Sequence, residues 1–121
     1  MIIGIGIDMI ELRRMAKNID HDAFIHRVLT PEERELFKPL RNKRKAEFLA
    51  GRFSAKEAYA KARGTGLGKS LSLQDISIIN DKLGKPVLKD RKAGADQKIH
   101  LSITHTDEYA SAFVVIESLS S

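Results

Sequence analysis

The chain has 121 residues, which suits one domain at roughly 100–200 residues each, expected to span 1–121. With 42% apolar and 31% charged residues it is too apolar for whole-chain disorder. No apolar run reaches the roughly 18–20 residues of a membrane span, since the stretch from Met1 ends at Asp8. The opening lacks the basic and small-residue flanks of a signal peptide, so a cytoplasmic location is expected. With no cysteine, disulfides, thiolate-bound zinc and thiol chemistry are excluded.

The net charge of +5 is unevenly spread. Residues 1–40 hold six Lys/Arg against seven Asp/Glu, and residues 64–121 hold seven against seven. Residues 41–63 hold eight against two, so the positive excess lies in one segment. That pattern suits either an anionic partner or a solvated helix face.

In chain order, Met1 to Ile10 reads as a strand. Ile3, Ile5, Ile7 and Met9 share one face, and Gly4, Gly6 and Asp8 share the other. Short helices are expected over Glu11 to Asn18 and Asp20 to Leu29. A third starts at Thr30-Pro31-Glu32-Glu33, with Thr30 as N-cap, Pro31 at N1 and Glu33 completing a capping box. Pro39 ends it. Lys43 to Arg63 is the longest helical pattern and stops at Gly64. Strands are expected over Leu73 to Asn80, Lys85 to Lys89, Ile99 to Thr104 and Tyr109 to Glu117, the last two as a hairpin. One strand, several helices and then strands is an α+β order, with a long buried helix packed on an antiparallel sheet.

Placing the long helix at about 100° per residue puts Lys45, Arg52, Lys56 and Arg63 in one stripe about 40° wide. Apolar residues lie on both sides of the stripe, and one of those sectors contains Glu57. A core-facing carboxylate must be paired, neutral or metal-bound. Metal binding is the preferred reading over a salt bridge to a neighbouring cation. Asp8 is the natural second ligand, because the glycines on its strand face leave room for close approach. Two carboxylates with phosphate oxygens and water make a hard-oxygen, magnesium-type site.

Other motifs fail on inspection. Gly64-Thr65-Gly66-Leu67-Gly68-Lys69-Ser70 resembles a Walker A loop, but Arg63 stands where its first glycine belongs. The order is also helix to strand, the reverse of a P-loop. Gly4-Ile5-Gly6 lacks the third glycine of a dinucleotide fingerprint, with Met9 in its place. The glycine turn could still offer amides to a phosphate. His21, His26 and His100 read as surface residues. His105 ends the hydroxyl-rich Ser102-Ile103-Thr104-His105, which is suited to a polar ligand.

These segments together resemble a known family. Gly4-Ile5-Gly6-Ile7-Asp8 with Glu11, Arg52-Phe53-Ser54-Ala55-Lys56-Glu57-Ala58, Gly64-Thr65-Gly66 and Leu101-Ser102-Ile103-Thr104-His105 are similar, in the same order, to the holo-[acyl-carrier-protein] synthases. These are the small bacterial 4′-phosphopantetheinyl transferases. The resemblance implies that coenzyme A donates phosphopantetheine to a serine of apo acyl carrier protein, leaving adenosine 3′,5′-bisphosphate, in support of fatty acid biosynthesis. It implies Mg2+ on Asp8 and Glu57, with Lys61 also catalytic. It implies coenzyme A contacts from Arg52, Lys56, Lys61, Gly64, Thr65, Gly66, Ser102, Thr104 and His105. It also implies a homotrimer with sites between subunits. The base could be Glu57 or a metal-bound hydroxide. Arg13 and Arg14, just after the first strand, are candidates to dock the acidic carrier protein. The rival reading is a basic nucleic-acid-binding module, disfavoured by two Tyr and no Trp for base stacking. No membrane partner is expected.

Overall fold

The computed structural model describes residues 1–120. Strand β1 (Ile2–Glu11) leads into short helices α1 (Leu12–Ala16), α2 (Asp22–Val28) and α3 (Pro31–Phe37). Helix α4 (Asn42–Arg63) follows, and then strands β2 (Ile76–Asn80), β3 (Pro86–Asp90), β4 (Gln97–His105) and β5 (Tyr109–Ser118). The expected α+β order is realised. Element ends differ by one to three residues, most at β2: residues Leu73–Asp75 form a 3₁₀ turn before it, because the Asp75 carboxylate accepts the Ser72 amide at 2.9 Å and bends the chain.

The strands form two antiparallel sheets, one ordered β1-β5-β4 and one pairing β2 with β3. In the larger sheet Ile7 pairs with Phe113, which pairs in turn with Ser102. Helix α4 links two cores. Its first half, with Leu49 and Ala50, packs against Ile10, Leu12, Met15, Ile25, Val28, Leu29 and Phe37 of β1 and the short helices. Its second half, from Ala55 to Ala62, packs against the β5 row Ala112, Val114 and Ile116 and against Ile76, Ile78 and Leu88 of the small sheet. A helix that meets protein on most sides needs small residues, and alanines at 46, 50, 55, 58, 60 and 62 provide them.

The glycine face of β1 is the one turned to α4. A Cβ at Gly4 would overlap the carbonyl oxygen of Ala62, and one at Gly6 would overlap that of Ala58. Consequently the isoleucine face points away from the core. Ile3, Ile5, Ile7 and Met9 are 50–63% exposed, and Phe113 of β5 joins them at 45%. This is a continuous apolar sheet face with no covering element among the described residues.

Helix α3 begins as expected. The Thr30 hydroxyl accepts the Glu33 amide at 3.4 Å, and Glu33 Oε1 accepts the Thr30 amide at 2.9 Å. Helix α4 ends as expected, with Gly64 in the left-handed conformation at φ 80°.

Candidate active site

Asp8 projects from the glycine face of β1 towards the last two turns of α4, a proximity made possible by Gly4 and Gly6. There Lys61 Nζ donates to Asp8 Oδ1 at 3.2 Å and to the Ile7 carbonyl at 3.0 Å. Ser111 of β5 fixes the same strand segment by donating to the Asp8 carbonyl at 2.9 Å. Glu57 lies one turn before Lys61 and is half-buried. Its carboxyl is held above the usual carboxylate range, first by burial and then by the negative charge of Asp8, partly offset by Lys61. Asp8, Glu57 and Lys61, singled out from the sequence, therefore form one cluster. Two carboxylates that repel each other at the edge of solvent fit a hard divalent cation, which would relieve that repulsion. Two carboxylates alone leave coordination positions for phosphate and water.

The middle of the cation stripe is buried, while Arg63 is exposed and Lys45 half-buried. Lys56 is completely buried and donates to Glu33 Oε1 at 2.7 Å, the Val28 carbonyl at 2.7 Å and the Leu73 carbonyl at 3.1 Å. All three ammonium donors are occupied, so in this conformation Lys56 has nothing to offer a phosphate. Arg52 is 8% exposed, lies over the Phe48 ring and donates to the Ile78 carbonyl and Asn80 Oδ1. Burial lowers the pKa of both cations, against the opposing pull of Glu33. The expectation that Glu57 is the core-facing ionisable group is corrected, and neither Lys56 nor Arg52 forms a solvated face. The core holds the Lys56–Glu33 pair, and Glu57 sits nearer its margin. The signal for this was the capping-box glutamate: Glu33 was read only as a helix-start residue, but its second oxygen accepts the Ile78 amide at 2.9 Å.

The glycine turn is also used differently. The Gly64 amide donates to the Lys61 carbonyl and the Gly66 amide to that of Ala60, closing the C-terminus of α4. Those two amides are not free for a phosphate, and a helix C-terminus carries partial negative charge. Thr65 is exposed, with its hydroxyl on the Gly66 carbonyl at 3.2 Å.

His105 and its neighbours split between the two sheet faces, as a strand period of two requires. Ser102 and Thr104 are exposed on the outer face shared with Phe113, whereas His105 turns to the helix side. His105 Nδ1 lies 3.6 Å from Glu47 Oε2, and Arg44 Nη1 lies 3.5 Å from Glu47 Oε1. Both border a cavity of about 200 Å³ lined by Arg44, Glu47, Phe48, Arg52, Pro86 and His105. Glu47 and Glu57 are ten residues apart, about 15 Å along the helix axis. One chain therefore does not bring His105 to Asp8 and Glu57. A larger groove of about 930 Å³ runs between β3 and the start of β4. None of the candidate site residues lines it; of its carboxylates, Asp75 pairs with Arg91 and Asp90 accepts the Tyr59 hydroxyl. Arg13 and Arg14 are exposed on α1, with Arg13 3.7 Å from Glu11.

Comparison with known proteins places this geometry. Residues 4–114 match the family model described as the 4′-phosphopantetheinyl transferase superfamily. A holo-[acyl-carrier-protein] synthase of Geobacillus sp. (strain WCH70) is 55% identical over 121 residues, covering 99% of this chain and 100% of that protein. One from Bacillus velezensis is 57% identical, covering 99% of each. The crystal structure of a holo-(acyl-carrier-protein) synthase from Bacillus anthracis in complex with CoA (3′,5′-ADP) superposes with a TM-score of 0.90 at 52% identity, covering 98% of both chains. On the family match and on relatives similar over their whole length, the chain belongs to the 4′-phosphopantetheinyl transferase superfamily.

Proposed function

We propose that this chain transfers the 4′-phosphopantetheine group of coenzyme A to a serine of apo acyl carrier protein, releasing adenosine 3′,5′-bisphosphate, as a cytoplasmic enzyme serving fatty acid biosynthesis. The observation that carries the reading is the Asp8–Glu57–Lys61 cluster, in a chain 55% identical to a holo-[acyl-carrier-protein] synthase. Asp8 and Glu57 would hold Mg2+, which supplies charge stabilisation at the diphosphate when bound. Lys61, 55% exposed at its side chain, steadies Asp8 and keeps a cation beside the departing phosphate charge. Glu57 is the residue of the cluster that would receive the proton of the attacking serine. Thr65 and the exposed surface of Gly64 and Gly66 border the site next to Lys61.

We further propose that the working unit is a homotrimer with a shared site. The exposed row Ile3, Ile5, Ile7, Met9 and Phe113 supports an interface between copies. The separation of His105 from Glu57 along α4 supports a site completed by a second chain. In that arrangement the pocket of Arg44, Arg52 and His105 on one copy receives the nucleotide whose diphosphate lies at Asp8 and Glu57 of the next. Ser102 and Thr104, on the outer sheet face, stand where a neighbouring copy would approach. Arg13 and Arg14 on α1 present exposed positive charge to the acidic carrier protein.

The test is direct. Incubation with apo acyl carrier protein, coenzyme A and Mg2+, followed by mass spectrometry of the carrier, should show addition of one phosphopantetheine. An unmodified carrier, or equal modification in excess chelator, would refute the reading.

A further inference from the structure

Glu33 and Lys56 form the most enclosed ion pair of the described residues, with both side chains at 0% exposure and 2.7 Å between them. Lys56 Nζ joins α4 to the end of α2 through the Val28 carbonyl, to the 3₁₀ turn through the Leu73 carbonyl, and to α3 through Glu33. Glu33 extends the network. Its carboxylate accepts the Thr30 amide and hydroxyl on one oxygen and the Ile78 amide on the other. Six hydrogen bonds thus converge on two side chains. Removing one partner would leave a buried charge uncompensated.

The position of this pair on α4 matters. On the helix wheel, Ala58 and Ala62, whose carbonyls meet Gly6 and Gly4, lie about 200–240° from Lys56. The helix therefore rests on β1 along one side and is tethered by an ammonium on nearly the opposite side. Glu57 follows Lys56 directly and lies about 100° round the wheel from it, between these two supports. If α4 rolled about 10°, an atom about 6 Å from its axis would move roughly 1 Å. Errors of that size at a reacting centre cost up to about a hundredfold in rate.

We infer that Lys56 and Glu33 are positioning residues that lock the rotation of α4 and so set how Glu57 is presented to Asp8. This inference rests on reading Asp8 and Glu57 as the metal-binding pair. It gives Lys56 a role in place of a phosphate contact, and it gives a role to Glu33, which has no exposed surface with which to touch a substrate.

The experiment uses Glu33→Gln and Lys56→Met, each confirmed as folded by circular dichroism. Mn2+ binding is measured by electron paramagnetic resonance with coenzyme A present, alongside steady-state kinetics. Both variants should lose at least about fivefold in Mn2+ affinity and in kcat, while KM for coenzyme A changes less than about threefold. A mere loss of stability would leave Mn2+ affinity of the folded protein unchanged. If the unsubstituted protein binds no Mn2+, the metal reading itself fails. If it binds Mn2+ and both folded variants match it, the positioning role is overturned while the metal reading stands. If Lys56→Met loses coenzyme A affinity in a salt-dependent way and Glu33→Gln does not, Lys56 is a phosphate ligand and the inference is wrong. Should Lys56→Met fail to fold, Glu33→Gln decides alone, because it leaves Lys56 its two carbonyl acceptors.

Discussion

Gly6 of β1 lies so close to the carbonyl oxygen of Ala58 that no side chain fits between the strand and α4. Gly6→Ala should therefore push the helix off the sheet. Overpacking at a rigid backbone contact costs about 1–3 kcal/mol or more. We expect a lower urea midpoint together with loss of transfer activity, since the same contact brings Asp8 to Lys61. An unchanged midpoint would show that strand and helix can separate freely.

Lys61 lowers the pKa of Glu57, which burial and Asp8 raise. Lys61→Met removes that opposing charge, so the Glu57 carboxyl should titrate at still higher pH. In metal-free protein, NMR titration of the Glu57 carboxyl should show that upward move. A titration that stays in place, or moves down, would show that Lys61 does not act on Glu57.

In metal-free protein the raised pKa of Glu57 makes its ionised form a burden on stability. A folded-state pKa above the unfolded one gives stability present at low pH and lost as pH rises through the folded value. Glu57→Gln should therefore raise Tm relative to the unsubstituted protein near pH 8 without magnesium. The difference should shrink towards pH 4, and scanning calorimetry at the two pH values checks it.

Ser54 is completely buried in α4, and its hydroxyl has no hydrogen-bond partner among the described residues. An unmatched buried hydroxyl carries a desolvation penalty of about 1–3 kcal/mol. Ser54→Ala should accordingly be neutral or stabilising by about 1 kcal/mol, with transfer activity retained. A clear drop in Tm would reveal a partner for the hydroxyl.

Ile5→Asp places a charge at the middle of the exposed β1 row without touching the glycine face. We expect it to convert a trimer to monomers by light scattering and to abolish transfer. Mixing inactive Glu57→Ala with inactive His105→Ala should restore part of the activity if each site draws on two chains. No recovery from subunits shown to exchange would place both residues in one chain's site.

The periodicities of the sequence specified the helices and strands because apolar spacing, the Thr30 box and the Gly64 stop are local signals. Asp8 and Glu57 were legible for a related reason: each interrupts a pattern that its neighbours keep. Lys56 was not legible. A helical wheel shows which residues share a stripe, but not that α3 places a carboxylate over it from 23 positions away. Nor does alternation along β1 say which face is inner. The isoleucines suggest one answer, and the glycines, by admitting a helix backbone, impose the other.

The sheet order β1-β5-β4 gives β1 only one partner, and that partner is distant in sequence, with Ile7 paired to Phe113. During synthesis the isoleucine row of β1 must wait, unpaired, for a strand about a hundred residues later. Such late, non-local closure slows folding and leaves an apolar edge open to self-association. Shortening the chain into β5 would remove the middle of the sheet rather than trim its border. Expression of nested C-terminal deletions should accordingly pass abruptly from soluble to aggregated material once β5 is entered.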